Sequence, residues 1–162
     1  MSITQQQLKQ TLNYNPDIGI FTWANDRRCV KAGTKAGTIT NQGYVRIKIL
    51  DKVYMEHRLA WLYVYGVMPS EQIDHINHDK ADNRIENLRE ATNQQNQFNK
   101  PKSKYSKSNY KGISFHKKSN KWLAQININK VNTYLGIFDT EEEAALAYQN
   151  KSKEIHKEFA HG

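Results

Sequence analysis

The sequence predicts an α+β protein built as two modules, on three observations. Apolar residues alternate at strand spacing over several short runs, and each half of the chain carries one helical stretch. A polar stretch, NQQNQFNKPKSKYSKSN, interrupts that pattern, and its proline and scarcity of large apolar residues mark its later part as a linker. Hydrophobic residues make up 38% of 162, with mean hydropathy −0.85, which suits small units better than one large core. The expected boundaries are 1–99 for a first module with a β-rich N-terminal extension, 100–108 for a basic linker and 109–162 for a second module.

In the first module, Asn15-Pro16-Asp17 signals a turn before a short strand, Ile18–Trp23. The glycine- and threonine-rich RRCVKAGTKAGTITNQG reads as loops or a small hairpin. From Gly43 to Leu50, Tyr44, Arg46 and Lys48 alternate with Val45, Ile47 and Ile49, as in a half-buried strand. Asp51-Lys52 then connects tightly to Val53-Tyr54-Met55. Residues 56–65 follow helical periodicity with Leu59, Leu62 and Val64 or Tyr65 inward; Gly66 closes the helix and Pro69 prevents its resumption.

The second module reads as a three-stranded antiparallel meander, Tyr110–His116, Lys121–Asn129 and Asn132–Phe138, packed on one helix. Thr140 opens that helix with a capping box to Glu143, and Glu141 and Glu142 suit its positive end. Ala144, Ala147, Tyr148, Ile155 and Phe159 form the expected buried stripe.

Net charge is +8, from 24 Lys and Arg against 16 Asp and Glu, a balance that points to a polyanionic partner. Its distribution sharpens the point: nine lysines and no acid lie between Lys100 and Phe138. No apolar run approaches the roughly 20 residues that span a bilayer, so no membrane partner is expected. The start, MSITQQQLKQ, is too polar for a secretory signal, and a cytoplasmic protein is expected. Cys29 is the only cysteine, which excludes an internal disulfide and a cysteine-rich structural zinc site.

The chemistry concentrates in IDHINHDKADNRIENLREATNQQN at 73–96. A strand carries Asp74 and His75, a loop runs through Asn77 to Glu86, and a second strand spans Leu88–Ala91. Thr92 caps a short helix that brings Asn96 back over the hairpin. A carboxylate, a carboxamide and an imidazole suit phosphodiester hydrolysis. Mg²⁺ prefers oxygen ligands and keeps several waters, so one carboxylate and one amide oxygen can hold it. The imidazole can take a proton from water near neutral pH. His78 and Asp79 invite a second-metal reading but fit a loop turn better, and His57 reads as packing beneath the site or touching DNA.

The run from His57-Arg58-Leu59 through Asp74-His75, Asn87-Leu88-Arg89 and Asn96 resembles the HNH endonucleases, especially the phage and intron-encoded homing branch with its ββα-metal motif. The likeness extends upstream through GIFTW and GYVRIKI. It implies His75 as general base, Asp74 and Asn96 as ligands of Mg²⁺ or Mn²⁺, and Asn87 as the brace that orients the histidine. Arg84 and Arg89 either meet phosphates or pair with nearby acids. Asn96 stands where some relatives carry histidine, and the cysteine pairs that hold a structural zinc in many relatives are missing.

In the middle strand of the second module, Trp122, Ala124, Ile126 and Ile128 share one face and Lys121, Leu123, Gln125, Asn127 and Asn129 the other. The first face packs on the alanine-rich helix; the second, flanked by Lys111, Lys117, Lys118 and Lys130, can enter a DNA major groove. YKGISFH, KWLAQI, YLGIFDTEEEAALAY and KEFA resemble the plant ethylene-response-factor (Apetala-type) DNA-binding domain over 109–160. That resemblance places DNA contacts at Lys111, Ser114, His116, Gln125, Asn127, Asn132 and Tyr134, joined by Lys117 and Lys130 from the lysine distribution. Several of these positions are arginine or tryptophan in the plant proteins, and the first turn is one residue longer here, so the plant target sequence does not transfer.

Together these expectations describe a metal-dependent endonuclease on double-stranded DNA, without a small-molecule cofactor, acting as a monomer or weak dimer in the host cytoplasm if phage-encoded. A monomer would nick. The rivals are a DNA-binding regulator with an inactive nuclease module, and an RNA-binding or RNA-cleaving protein.

Overall fold

A reciprocal cap opens the first element: Thr4 Oγ1 accepts from Gln7 N at 3.2 Å and Gln7 Oε1 accepts from Thr4 N at 3.0 Å. The computed structural model describes residues 3–99, 107–128 and 130–156, without the side chains of Phe98 and His156. Residues 100–106 of the expected linker, with Asn129 and Phe159, lie outside the described residues. Two compact units form, Met1–Ala91 and Thr92–Gly162. Both are mixtures of helices and small antiparallel sheets.

In the first unit, helix α1 (Gln5–Thr11) leads into β1 (Leu12–Asn15), which pairs antiparallel with β2 (Ile20–Trp23). Neither α1 nor β1 is read from the sequence pattern, although the Thr4–Gln7 spacing is a capping signature. The β1–β2 connection ends at Gly19, φ +68°; a Cβ there would sit 2.3 Å from Arg84 N, so only glycine lets the hairpin tip meet residues 83 and 84.

Strands β3 (Thr38–Ile39), β4 (Val45–Ile49) and β5 (Lys52–Met55) form a sheet in that order. β4 buries Val45, Ile47 and Ile49 and exposes Arg46 and Lys48, the alternation its sequence carries. Leu50 and Asp51, at φ 49° and 62°, make the two-residue β4–β5 turn, with the handedness that matches strand twist.

Helix α2 (Glu56–Tyr65) ends at left-handed Gly66. Leu59 and Leu62 are inward, but Val64 and Tyr65 are 42% and 54% exposed. Alongside Leu59 and Leu62, the inward face carries Glu56, Ala60 and the half-buried Tyr63, at i, i+4 and i+7. Tyr63 stacks edge-on against Tyr14 and Phe21 in a core that includes Leu8, Leu12 and Ile47. The unit closes with β6 (Gln72–His75), a 3-10 turn (Ile85–Asn87) and β7 (Leu88–Ala91), β6 pairing antiparallel with β7.

In the second unit, Thr92 caps α3 (Asn93–Asn99): Thr92 Oγ1 accepts from Gln95 N, and Gln95 Oε1 accepts from Thr92 N. Strands β8 (Ile113–His116), β9 (Lys121–Ile128) and β10 (Val131–Phe138) form the meander, β9 central. Helix α4 (Glu141–His156) carries the Thr140–Glu143 capping box. Its buried stripe is Ala144, Ala145, Tyr148 and Ser152, while Ala147 and Ile155 are half-buried. Ser152 continues the i+4 progression from Tyr148 and Ala144, where the expected stripe skipped it. A Cβ on Gly112 would fall 2.2 Å from the Tyr148 ring, so the strand entering the sheet can approach α4 only as glycine.

Candidate functional site

The β6–β7 hairpin places Asp74 opposite Arg89 and His75 opposite Leu88. Asp74 is 4% exposed and His75 5%. Arg89 Nε and Nη2 both lie 3.0 Å from Asp74 Oδ2. That guanidinium offsets the cost of burying the carboxylate. Arg84 is more exposed and holds Asp82 and Glu86 at 2.7 Å each. Its hydrogen bonds keep the Asp82 carboxyl at about 2, below the usual carboxylate value.

The loop between the strands is self-supporting. Asn87 Oδ1 accepts from Asn77 N at 2.9 Å, Asn87 Nδ2 donates to Asp82 O at 2.8 Å, and Asn87 O accepts from Ile76 N. One carboxamide thus ties both ends of the loop. His78, at φ 66°, and Asp79 form a turn within it: His78 N donates to His75 O, and Asp79 caps Ala81 N. His57 is buried beneath the site, its ring edge-on to His75 at 5.2 Å and tilted against Tyr44 at 5.5 Å. Burial, with His75 and Arg58 nearby, drives the His57 pKa down to about 3.

Two residues not singled out in the sequence complete this cluster. Asn83 is fully buried; its Oδ1 lies 3.1 Å from His75 Nε2, and its Nδ2 donates to Glu56 Oε2 at 2.8 Å. Glu56, 2% exposed, also accepts from Phe21 N through Oε1 at 3.3 Å. Burial pushes the Glu56 carboxyl up to about 7 against the pull of those hydrogen bonds. Burial likewise lowers the His75 pKa, opposed by Asn83 and by Asp74, Asp79 and Asp82. The available signals were helical periodicity, which puts Glu56 on the inward face with Ala60, and the place of Asn83 inside DNRIENLR.

In the second unit, Asn96 lies on α3, its N–H bonded to Thr92 O at 2.9 Å. Cross-strand register gathers the expected contacts of the sheet on one face. Ser114 faces Leu123, His116 faces Lys121, Asn127 faces Asn132, and Tyr134 faces Gln125. Ala124 and Ile126 point the other way, into the core with Ala144 and Tyr148. Asn127 Nδ2 donates to Asn132 Oδ1 at 3.0 Å, and His116 Nδ1 lies 2.8 Å from Ser119 Oγ. Lys117 and Lys130 are exposed, and Lys111 donates to Gln97 O. A groove of about 900 Å³ beside this face is lined by Asn93, Gln97, Lys111, Gln125, Asn127 and Asn132, among others.

Known proteins bear on the first cluster. Residues 54–98 match the family model described as HNH endonuclease. That segment contains Glu56, Asp74, His75, Asn83, Asn87 and Asn96. An uncharacterized HNH endonuclease of Acanthamoeba polyphaga mimivirus is 36% identical over 119 residues, which cover 73% of this chain and 61% of that protein. The match therefore spans under two thirds of its viral relative. Among solved structures, one of DNA binding and cleavage by the HNH homing endonuclease I-HmuI aligns with TM-score 0.42 and 21% identity, covering 57% of this chain and 53% of that one. Among the described residues, no helix is long and apolar enough to cross a membrane.

Proposed function

We propose that this chain is a homing-type HNH endonuclease, a monomer or weak dimer, that hydrolyses phosphodiester bonds of double-stranded DNA with a divalent metal ion and nicks one strand per monomer. The observation that carries the reading is the buried Asp74–His75 pair on one antiparallel hairpin, inside the segment that matches the HNH model. Burial favours the neutral imidazole, the form that accepts a proton. His75 takes the proton from the attacking water, leaving 3′-hydroxyl and 5′-phosphate ends. Asn87 holds the loop that follows His75 and so limits its movement.

Asp74 and Asn96 would hold Mg²⁺ or Mn²⁺. Both supply hard oxygen donors, and an ion that retains several waters needs no closed protein cage. What the bound ion supplies is positive charge for a phosphate oxygen and for the departing oxyanion. In the second unit, the Gln125–Asn127–Asn132–Tyr134 face would anchor DNA as an ethylene-response-factor-like domain. Ser114 and His116 extend that face, and Lys111, Lys117 and Lys130 would meet phosphates along with Arg84. Arg89 is committed to Asp74 and would act through that carboxylate.

The test is relaxation of supercoiled plasmid with Mg²⁺, then with chelator, for wild type and His75→Ala. Wild type is expected to nick only with metal, and His75→Ala to lose about 10²–10⁴-fold in rate, the range for general-base catalysis. Absence of metal-dependent nicking by wild type, with DNA binding retained, would leave a regulator. Preferential cutting of RNA would redirect the substrate.

A further inference from the structure

Resting on the endonuclease reading for its consequence but not for its geometry, we infer that Glu56 and Asn83 are positioning residues that fix which nitrogen of His75 carries the proton. Asn83 Nδ2 has two acceptors, Glu56 Oε2 at 2.8 Å and Ala81 O at 3.3 Å. With Glu56 ionised, as at pH 8, a flipped carboxamide would set its oxygen against both, so the amide has one orientation. Oδ1 therefore faces His75 Nε2 at 3.1 Å, and an oxygen can only accept. Nε2 is the protonated nitrogen, and in the neutral ring Nδ1 holds the basic lone pair. The general base is Nδ1.

The relay is itself clamped from the N-terminal hairpin. Tyr14 Oη donates to Asn83 O at 2.6 Å and Phe21 N to Glu56 Oε1 at 3.3 Å. Gly19 brings its backbone against Asn83 and Arg84. The β1–β2 extension thus supports a histidine more than fifty residues away in sequence. An orienting partner of this kind is commonly worth 10- to 100-fold in related chemistry.

Two measurements test it. The first is the long-range ¹H–¹⁵N spectrum of the imidazoles of the full chain at pH 8, with the His75 signals assigned by their loss in His75→Gln. His75 should show a protonated Nε2 and an unprotonated Nδ1; a protonated Nδ1 overturns the inference. The second is nicking by Asn83→Ala, Glu56→Gln and the double variant Glu56→Gln with Asn83→Asp. Each single change is expected to slow nicking by about 10²-fold. The double change reverses donor and acceptor between positions 56 and 83. The new amide donates to the new carboxylate and still accepts from Phe21 N, and the carboxylate still accepts from Nε2, at the cost of the 3.3 Å bond to Ala81 O. It should recover nicking to within about tenfold of wild type. A folded double variant no faster than the single ones overturns the inference. The spectrum needs no activity: a wild type that shows the Nε2–H form yet never nicks supports the relay and removes the endonuclease reading.

Discussion

The two units use polar residues in opposite ways. In the first, Asp74, His75, Asn83, Asn87 and Glu56 are all at least nine-tenths buried and each is held by named partners. In the second, Ser114, Gln125, Asn127, Asn132 and Tyr134 lie open on a sheet face, set by strand register more than by side-chain bonds. A buried polar group without its partner costs several times what an exposed one does. Substitutions in the hairpin should therefore strike folding and chemistry together, while those on the sheet should alter binding and leave folding intact.

The largest effect expected from that contrast belongs to Asp74→Ala. It removes the carboxylate that the Arg89 guanidinium pairs with, and the arginine side chain is only 15% exposed. Removing one member of a buried ion pair costs about 3–5 kcal/mol, readable as a fall in the urea midpoint. Asp74→Asn keeps an oxygen acceptor for Arg89 and should lose less stability while still losing metal-dependent nicking. Equal stability of Asp74→Ala and wild type would break the comparison at its buried end.

A smaller effect follows from Glu56, whose carboxyl sits at about 7 in the fold against an ordinary 4.5. A group raised in this way stabilises fully below pH 4.5. The contribution is lost as pH rises towards 7 and is constant above, by about 3 kcal/mol in all. Lys35 pulls against this shift, and Tyr14, whose own pKa is raised by burial and by Glu56, faces the same carboxylate. His57 and His75, held neutral by burial, act with the opposite sign and lose stability as pH falls below about 6.5. The difference between wild type and Glu56→Gln isolates the glutamate. Plotted from pH 4.5 to 8, wild type should lose stability relative to the variant, and a flat difference would remove the buried charge from the argument.

The same contrast explains how much was legible in the sequence. Alternation exposed β4 and the sheet of the second unit, because one face of each is core and the other solvent. The Thr92 and Thr140 caps were readable because a cap is a local contact, three residues long. Asp74 and His75 stood out as chemical types at a short spacing. Glu56 and Asn83 did not, because their role exists only where α2, β2 and the hairpin loop converge, across 27 and 35 residues of chain. Helix α1 was hidden by its polar composition, with Leu8 its one buried side chain. Periodicity does not say where the core ends: Val64 and Tyr65, in the last turn of α2, project past it.

The smallest effects belong to the sheet face, and they divide by kind. Lys117→Ala removes an exposed charge from the loop after β8 and should weaken binding to all duplexes alike. If about five lysines meet phosphates, log K falls against log salt with slope near −4 to −5, and this variant flattens the slope by about 0.9. Asn127→Ala removes an amide that faces solvent beside Asn132. It should leave the slope unchanged and reduce discrimination between duplexes by about 1 kcal/mol, the lower end for an amide reading a base edge. Neither variant should change the unfolding free energy read from the urea transition by more than about 0.5 kcal/mol. A loss of stability in Asn127→Ala comparable to that of Asp74→Ala would show that the open face is structural, and that the two units do not divide their polar residues between building and binding.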